Sequence, residues 1–157
     1  MLSNTDGDTN QQPRKARDRI RIDKIHHPTY IALTKPRENE NRQELSPFES
    51  MKNIFMLASF IGYNEKKRVS LGKDKEMIFA WAQFSPEEDV PLLRALALAE
   101  TEDVEVLTNQ DQILTIAEEY ANGGITEIQK QVEDMPGDRI TNLVDLLRNW
   151  NPYEALV

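Results

Sequence analysis

Twice in 157 residues the chain writes Ser-Pro-x-Glu directly ahead of an apolar run, as Ser46-Pro47-Phe48-Glu49 and Ser85-Pro86-Glu87-Glu88. The serine hydroxyl accepts a first-turn N–H, the glutamate returns the bond, and proline at the first helical position gives up only a donor without an intrahelical partner. Two helix starts follow. After the first, Phe48, Met51, Ile54, Phe55, Ala58 and Ile61 recur at three- and four-residue spacing, a stripe that must face a core. Met56, Leu57 and Phe60 widen the stripe, and Gly62 reads as its stop. After the second, residues 92–99 are strong helix formers with no polar face beyond Arg94, so a helix central to the fold is expected. Pro91 either kinks it or places its regular part from about Val90.

The same reading extends along the chain. Residues 28–33 suit one or two helical turns, and 35–45, polar and interrupted by Pro36, a loop. Residues 103–107 suit a short helical turn. Asn109 caps a further helix, with Gln112 three residues on, which Asn122-Gly123-Gly124 is expected to stop. Residues 125–132 then form another amphipathic helix, Pro136-Gly137 breaks the chain, and a last helix runs over 138–149. Residues 69–71 and 76–84, parted by Gly72, Lys73, Asp74 and Lys75, suit a β-hairpin. The alternation over 19–23 suits an extended segment. Residues 1 to about 16 are too polar to offset the entropy of ordering. The expected fold is mainly α: a single compact helical domain over 19–157, with about five helices and one small β-hairpin, behind a disordered basic N-terminal arm over 1–18.

Composition removes several chemistries. Without cysteine there is no disulfide framework, thiol nucleophile or thiolate metal site. The longest uncharged apolar run, 54–63, falls well short of the roughly 20 residues that cross a bilayer. The acidic and amide-rich start lacks the apolar stretch of a signal peptide, so a soluble cytoplasmic protein with no membrane partner is expected. The one Gly-Gly pair, Gly123-Gly124, follows a helix, whereas a phosphate loop needs glycines between a strand and a helix N-terminus. His26 and His27 are adjacent, and adjacent residues of an extended segment point apart. The acid pairs, Glu118-Glu119 among them, read as helix-end complements or solvated faces rather than a catalytic dyad. No cofactor, metal or catalytic residue is assigned, and an enzyme is not expected.

Charge is the remaining signal. The chain carries 19 basic and 27 acidic residues, a net −8. Residues 1–75 hold fifteen basic against ten acidic residues, a surplus of five positive charges, and residues 76–157 hold four against seventeen, a surplus of thirteen negative charges. The positive charge gathers in Arg14, Lys15, Arg17, Arg19, Arg21 and Lys24, and in Lys66, Lys67, Arg68, Lys73 and Lys75. These eleven residues are the candidate contacts for nucleic acid or for a partner protein. Cations on a flexible arm would track phosphates weakly and in a salt-dependent way, yet a sequence pI near 4.8 is not that of a typical nucleic-acid-binding domain. Docking of the oppositely charged halves onto other protein subunits accounts for the split better. The two halves can also pair between copies, so a homo-oligomer is compatible with it.

Four segments occur in an order that resembles a known family: Arg19-Ile-Arg-Ile-Asp-Lys, Pro47-Phe-Glu-Ser-Met-Lys-Asn-Ile-Phe-Met-Leu-Ala, Leu93-Arg-Ala-Leu-Ala-Leu-Ala-Glu-Thr, and Ile113-Leu-Thr-Ile-Ala-Glu-Glu-Tyr-Ala-Asn-Gly-Gly-Ile-Thr-Glu-Ile. The chain resembles DNA phosphorothioation-associated (Dnd system-associated) protein 4 from about Arg19 to about Ile128, most specifically in Ala-Glu-Glu-Tyr-Ala-Asn-Gly-Gly-Ile. The resemblance implies a setting beside bacterial systems that replace a non-bridging DNA phosphate oxygen with sulfur, and beside the restriction machinery that defends the cell against unmodified or phage DNA. It implies no site residue. The function expected is that of a non-enzymatic accessory protein of such a system, with other proteins of the modification or restriction complex as partners. The alternatives are a DNA-contacting subunit that uses the arm and the hairpin cations, and an acidic mimic of DNA that fills a partner's groove.

Overall fold

The computed structural model describes residues 14–39 and 42–150 of the chain. Residues 1–13, most of the expected arm, lie outside the described residues. In chain order the elements are β1 (Arg19–Asp23), α1 (His27–Leu33), β2 (Arg37–Asn39), β3 (Arg42–Glu44), α2 (Met51–Asn64), β4 (Lys75–Ala80), α3 (Asp89–Thr101), α4 (Gln110–Ile128) and α5 (Arg139–Asn149). The domain is mainly helical, as expected, but its elements are divided differently.

The axis of the fold is the α2–α4 pair, the most extensively packed pair of elements. Glycines let the two backbones meet. A Cβ on Gly62 would stand 2.0 Å from the Tyr120 carbonyl oxygen, and one on Gly124 would stand 1.9 Å from that of Ala58. Ser59, buried between the helices, donates its hydroxyl to the carbonyls of Phe55 (2.8 Å) and Ala117 (3.1 Å). Gly62, Gly123 and Gly124 therefore do not stop helices. They lack the positive φ of a stop and lie inside helices that run on to Asn64 and Ile128. The helix expected over 125–132 is accordingly the end of α4, continued by a π-helical turn over Gln129–Glu133. The stop of α2 is built from Lys66, at φ 53°. Its N–H bonds Tyr63 O (3.1 Å) and the Lys67 N–H bonds Gly62 O (2.8 Å), the paired bonds of a left-handed helix end made without glycine.

Both capping boxes shift along the chain. Helix α2 is capped by Ser50, whose hydroxyl accepts from Asn53 N at 3.4 Å. Phe48 is buried with its N–H on Leu33 O (3.2 Å), which holds the chain before Ser50 out of the helix. At α3, Ser85 accepts from Glu88 N (3.2 Å), but the returning carboxylate is that of Asp89, on Ser85 N at 2.8 Å. Pro91 then falls in the first turn, where it is tolerated.

The hairpin expected between 69–71 and 76–84 does not form. The Val69 N–H donates to Glu119 O at 3.1 Å, and Asn122 Nδ2 reaches the carbonyls of Val69 and Ser70, so α4 has taken the groups a ladder needs. Strand β4 pairs instead with distant β1, antiparallel, with an irregularity between Ile20 and Arg21. Ile20, Ile22 and Phe79 from this ribbon enter the core beside Phe55, Leu93, Leu114 and Ile125. A small hairpin, β2 with β3, lies where a loop was expected. The expected cap Asn109 is present, on Gln112 N (3.1 Å); Asp138 caps the last helix through Thr141 N (3.0 Å), and Gly137, at φ +103°, breaks the chain before α5.

Helix α3 is not central. Val90, Leu93, Leu96 and Ala97 pack inward, while Leu92, Ala95 and Ala99 face solvent.

Candidate interaction surfaces

The cations singled out by sequence fall into two kinds. Arg17 is tied to α4: its N–H donates to Asp111 Oδ1 (2.7 Å), its guanidinium to Glu118 Oε1 (2.7 Å), and its carbonyl accepts from Gln110 Nε2 (2.7 Å). The Arg21 N–H reaches the other Glu118 oxygen at 2.6 Å, with its side-chain Nε 3.7 Å away. Glu118 is thus buried between two arginines rather than solvated. Burial pushes its carboxyl above the ordinary value, and Arg17 and Arg21 pull the other way. Arg68 spans Glu100 (2.9 Å) and Glu119 (3.3 Å), with its guanidinium carbon 6.0 Å from the Tyr120 ring centre. These three arginines stitch the basic half of the chain to the acidic half.

The lysines are different. Lys24 and Lys75 meet at one end of the β1–β4 ribbon: Lys75 faces Asp23 in register, and the Lys24 N–H donates to Asp74 O (3.0 Å). Lys24 and Lys73 line a shallow groove there with Asp23, Ile25, Gly72 and Asp74. Lys67 donates to Thr126 Oγ1 (2.8 Å) and lies close enough to His26 to help keep it neutral; burial does most of that. The fold therefore brings Lys24, from the first cluster, to Lys73 and Lys75 of the second. Lys66 is exposed at the helix stop, and Arg19 is exposed at the start of β1. Arg14 and Lys15 are exposed, Arg14 on an open cleft with Asp103, Glu105 and Asp111.

One cation escaped the sequence reading. Arg139 is buried, its N–H and Nε both on Glu44 Oε1 (2.8 and 3.0 Å), its Nη1 on Ala32 O (2.8 Å) and Glu133 Oε2 (3.3 Å), and its Nη2 on Lys35 O (2.8 Å). Arg37 adds a second bond to Glu133 at 2.6 Å. The only local sign is an arginine directly after a helix cap; of its partners only Glu133 is close in sequence, and Glu44, Ala32 and Lys35 lie 95 to 107 residues away.

The surface that stands out is the outer side of α3. Glu88, Leu92, Ala95, Ala99 and Glu102 follow one another at i+4 and i+3 spacing and are all exposed, an apolar strip with a glutamate at each end. Leu92 is 48% exposed, and Val104, just past the helix, 69%. Glu87, Asp103 and Glu105 add exposed negative charge around it. Among the described residues no three His, Cys, Asp or Glu side chains gather to hold a metal ion, and no helix is long and apolar enough to cross a membrane.

Residues 19–154 match the model of a family described as DNA sulphur modification system-associated protein 4, a match that runs beyond α4 and through α5. No curated protein and no solved structure matches the chain.

Proposed function

The chain belongs to the DNA sulphur modification system-associated protein 4 family, and from that premise we propose that it is a non-enzymatic accessory component that docks onto another protein of the system through the outer side of α3. The carrying observation is that a helix with almost no polar side is covered on one side only. A helix apolar all round is ordinarily buried; here Leu92, Ala95 and Ala99 face solvent, so a partner completes the burial. The glutamates at the strip's ends and the acids beside it select a partner that sets an apolar side chain among basic residues. The ionisable groups that might have suggested chemistry, Glu118 and Glu119 with Arg17, Arg21 and Arg68, are engaged in holding the domain together.

The test is co-expression with the modification and restriction proteins of its own system, followed by purification on a tag carried by this chain. A system protein is retained by the native chain and lost with Ala95→Arg, which adds bulk and positive charge at the strip's centre. Retention of no system protein at low salt counts against the reading. A second reading, direct contact with DNA, is favoured by the grouping of Lys24, Lys73 and Lys75. Gel shifts that weaken on Lys73→Glu and with rising salt support it; absence of binding at low salt rejects it.

A further inference from the structure

Resting on the docking reading above, we propose that what covers the outer side of α3 is an α-helix of the partner protein, about four turns long, with Lys or Arg at both ends and large apolar residues between them. The exposed row Glu88, Leu92, Ala95, Ala99 and Glu102 advances by four, three, four and three residues, a repeat of about 3.5. That is the seam along which one helix lies nearly parallel to another, crossing at about 20°. Glu88 and Glu102 cap the helix at its two ends, roughly 21 Å apart at 1.5 Å per residue. The methyls of Ala95 and Ala99 leave room in the middle for a second axis at the short end of the 8–10 Å range and for large side chains from it.

A helix suits this row for a second reason. The main-chain groups of α3 are spent inside it, so the row offers none to an incoming chain. A strand or loop laid over Leu92 and the alanines would bury its own N–H and C=O groups against apolar side chains without partners. A helix brings them already paired.

Charge sets the chemistry of the partner's ends. Glu87 and Glu88 stand at one end of the row and Glu102, Asp103 and Glu105 at the other, all exposed. None of the five is ion-paired among the described residues; Arg14, on the cleft beside Asp103 and Glu105, bridges to neither. The one cation of α3, Arg94, lies about 100° round the helix from Ala95 and outside the row. Acids at both ends repel nucleic acid, and they repel the same row of a second copy. They attract a helix basic at both ends.

The absence of cysteine supplies the test. Glu88→Cys and Glu102→Cys each take one maleimide–benzophenone label, and both leave Leu92, Ala95 and Ala99 in place. Each labelled full chain is mixed with the purified system protein that it retains, illuminated, and the cross-link mapped by mass spectrometry. On a helix the two cross-links fall about 14 residues apart; on an extended segment, at about 3.3 Å per residue, they fall about six apart. The expected result is a separation of about 14 on one stretch, with Lys or Arg beside both positions. In addition, Glu88→Lys combined with Glu102→Lys, checked for an unchanged thermal midpoint, weakens the complex at least about tenfold at low salt, a difference that closes as salt rises. Cross-links about six apart, spread over several segments or carried by a second copy of this chain overturn the helical partner, as does native affinity in the charge-reversed chain. Docking through α3 survives those results if Ala95→Arg still releases the system protein; retention by Ala95→Arg overturns both.

Discussion

Glu100 and Glu118 show how one residue type is used in opposite senses. The Tyr120 hydroxyl donates to Glu100, which Arg68 also reaches at 2.9 Å. That hydrogen bond, with Arg68 added and burial working against both, holds Glu100 below its ordinary 4.5. The stability it contributes is present above pH 4.5 and is lost as pH falls through the depressed value. Glu118 has the reverse sign: its raised value favours the folded state below 4.5, and the gain is lost as pH rises through it. Tyr120→Phe removes the donor and costs about 1–2 kcal/mol at neutral pH. The gap between native and variant stabilities in urea titrations narrows only as pH falls through the depressed value of Glu100, because both chains then carry it protonated. Tyr120 itself, buried and bonded to that carboxylate, is pushed up to about 12, so its contribution persists below pH 10 and fades only in strong alkali.

At the scale of elements, the closest packing depends on residues that look like punctuation. Asn122-Gly123-Gly124 reads as a helix stop because glycine accepts any φ, but the same residues permit backbone contact, and only the presence of α2 across the interface decides between the two. No local pattern carries that information. Gly124→Ala is expected to destabilise the chain by about 3 kcal/mol or more, since its methyl would meet the Ala58 carbonyl; a denaturation midpoint unchanged from native would mean the helices can part freely. The cap at Asn109 was legible since it is satisfied within three residues. The strand partner of β4 was not, since β1 lies some fifty residues earlier and 69–71 had the better local claim until α4 took its hydrogen bonds. The boxes at Ser46 and Ser85 placed helices near the right positions; the burial of Phe48 and the reach of Asp89 moved their starts.

For the molecule as a whole, the uneven charge was legible and its use was only half so. Two runs of cations are plain in the sequence, but the acids that engage Arg17, Arg21 and Arg68 are 32 to 101 residues away, so which cations stay on the surface emerges only from the fold. Arg139 makes the point at the other end of the chain. It joins α1, β3, the π-helical turn and α5, and Arg139→Ala, which leaves the buried Glu44 carboxylate without its cation while Glu133 keeps Arg37, is expected to cost about 3 kcal/mol, read as a lowered urea midpoint. The strip on α3 became visible only because a helix expected to be enclosed has an open side. The most direct measurement of what that side does is the dissociation constant for the system protein that co-purifies with this chain, compared for the native protein, Ala95→Arg and Lys73→Glu. Docking through α3 predicts at least a tenfold weakening, about 1.4 kcal/mol, for Ala95→Arg and none for Lys73→Glu; native affinity in Ala95→Arg would contradict it.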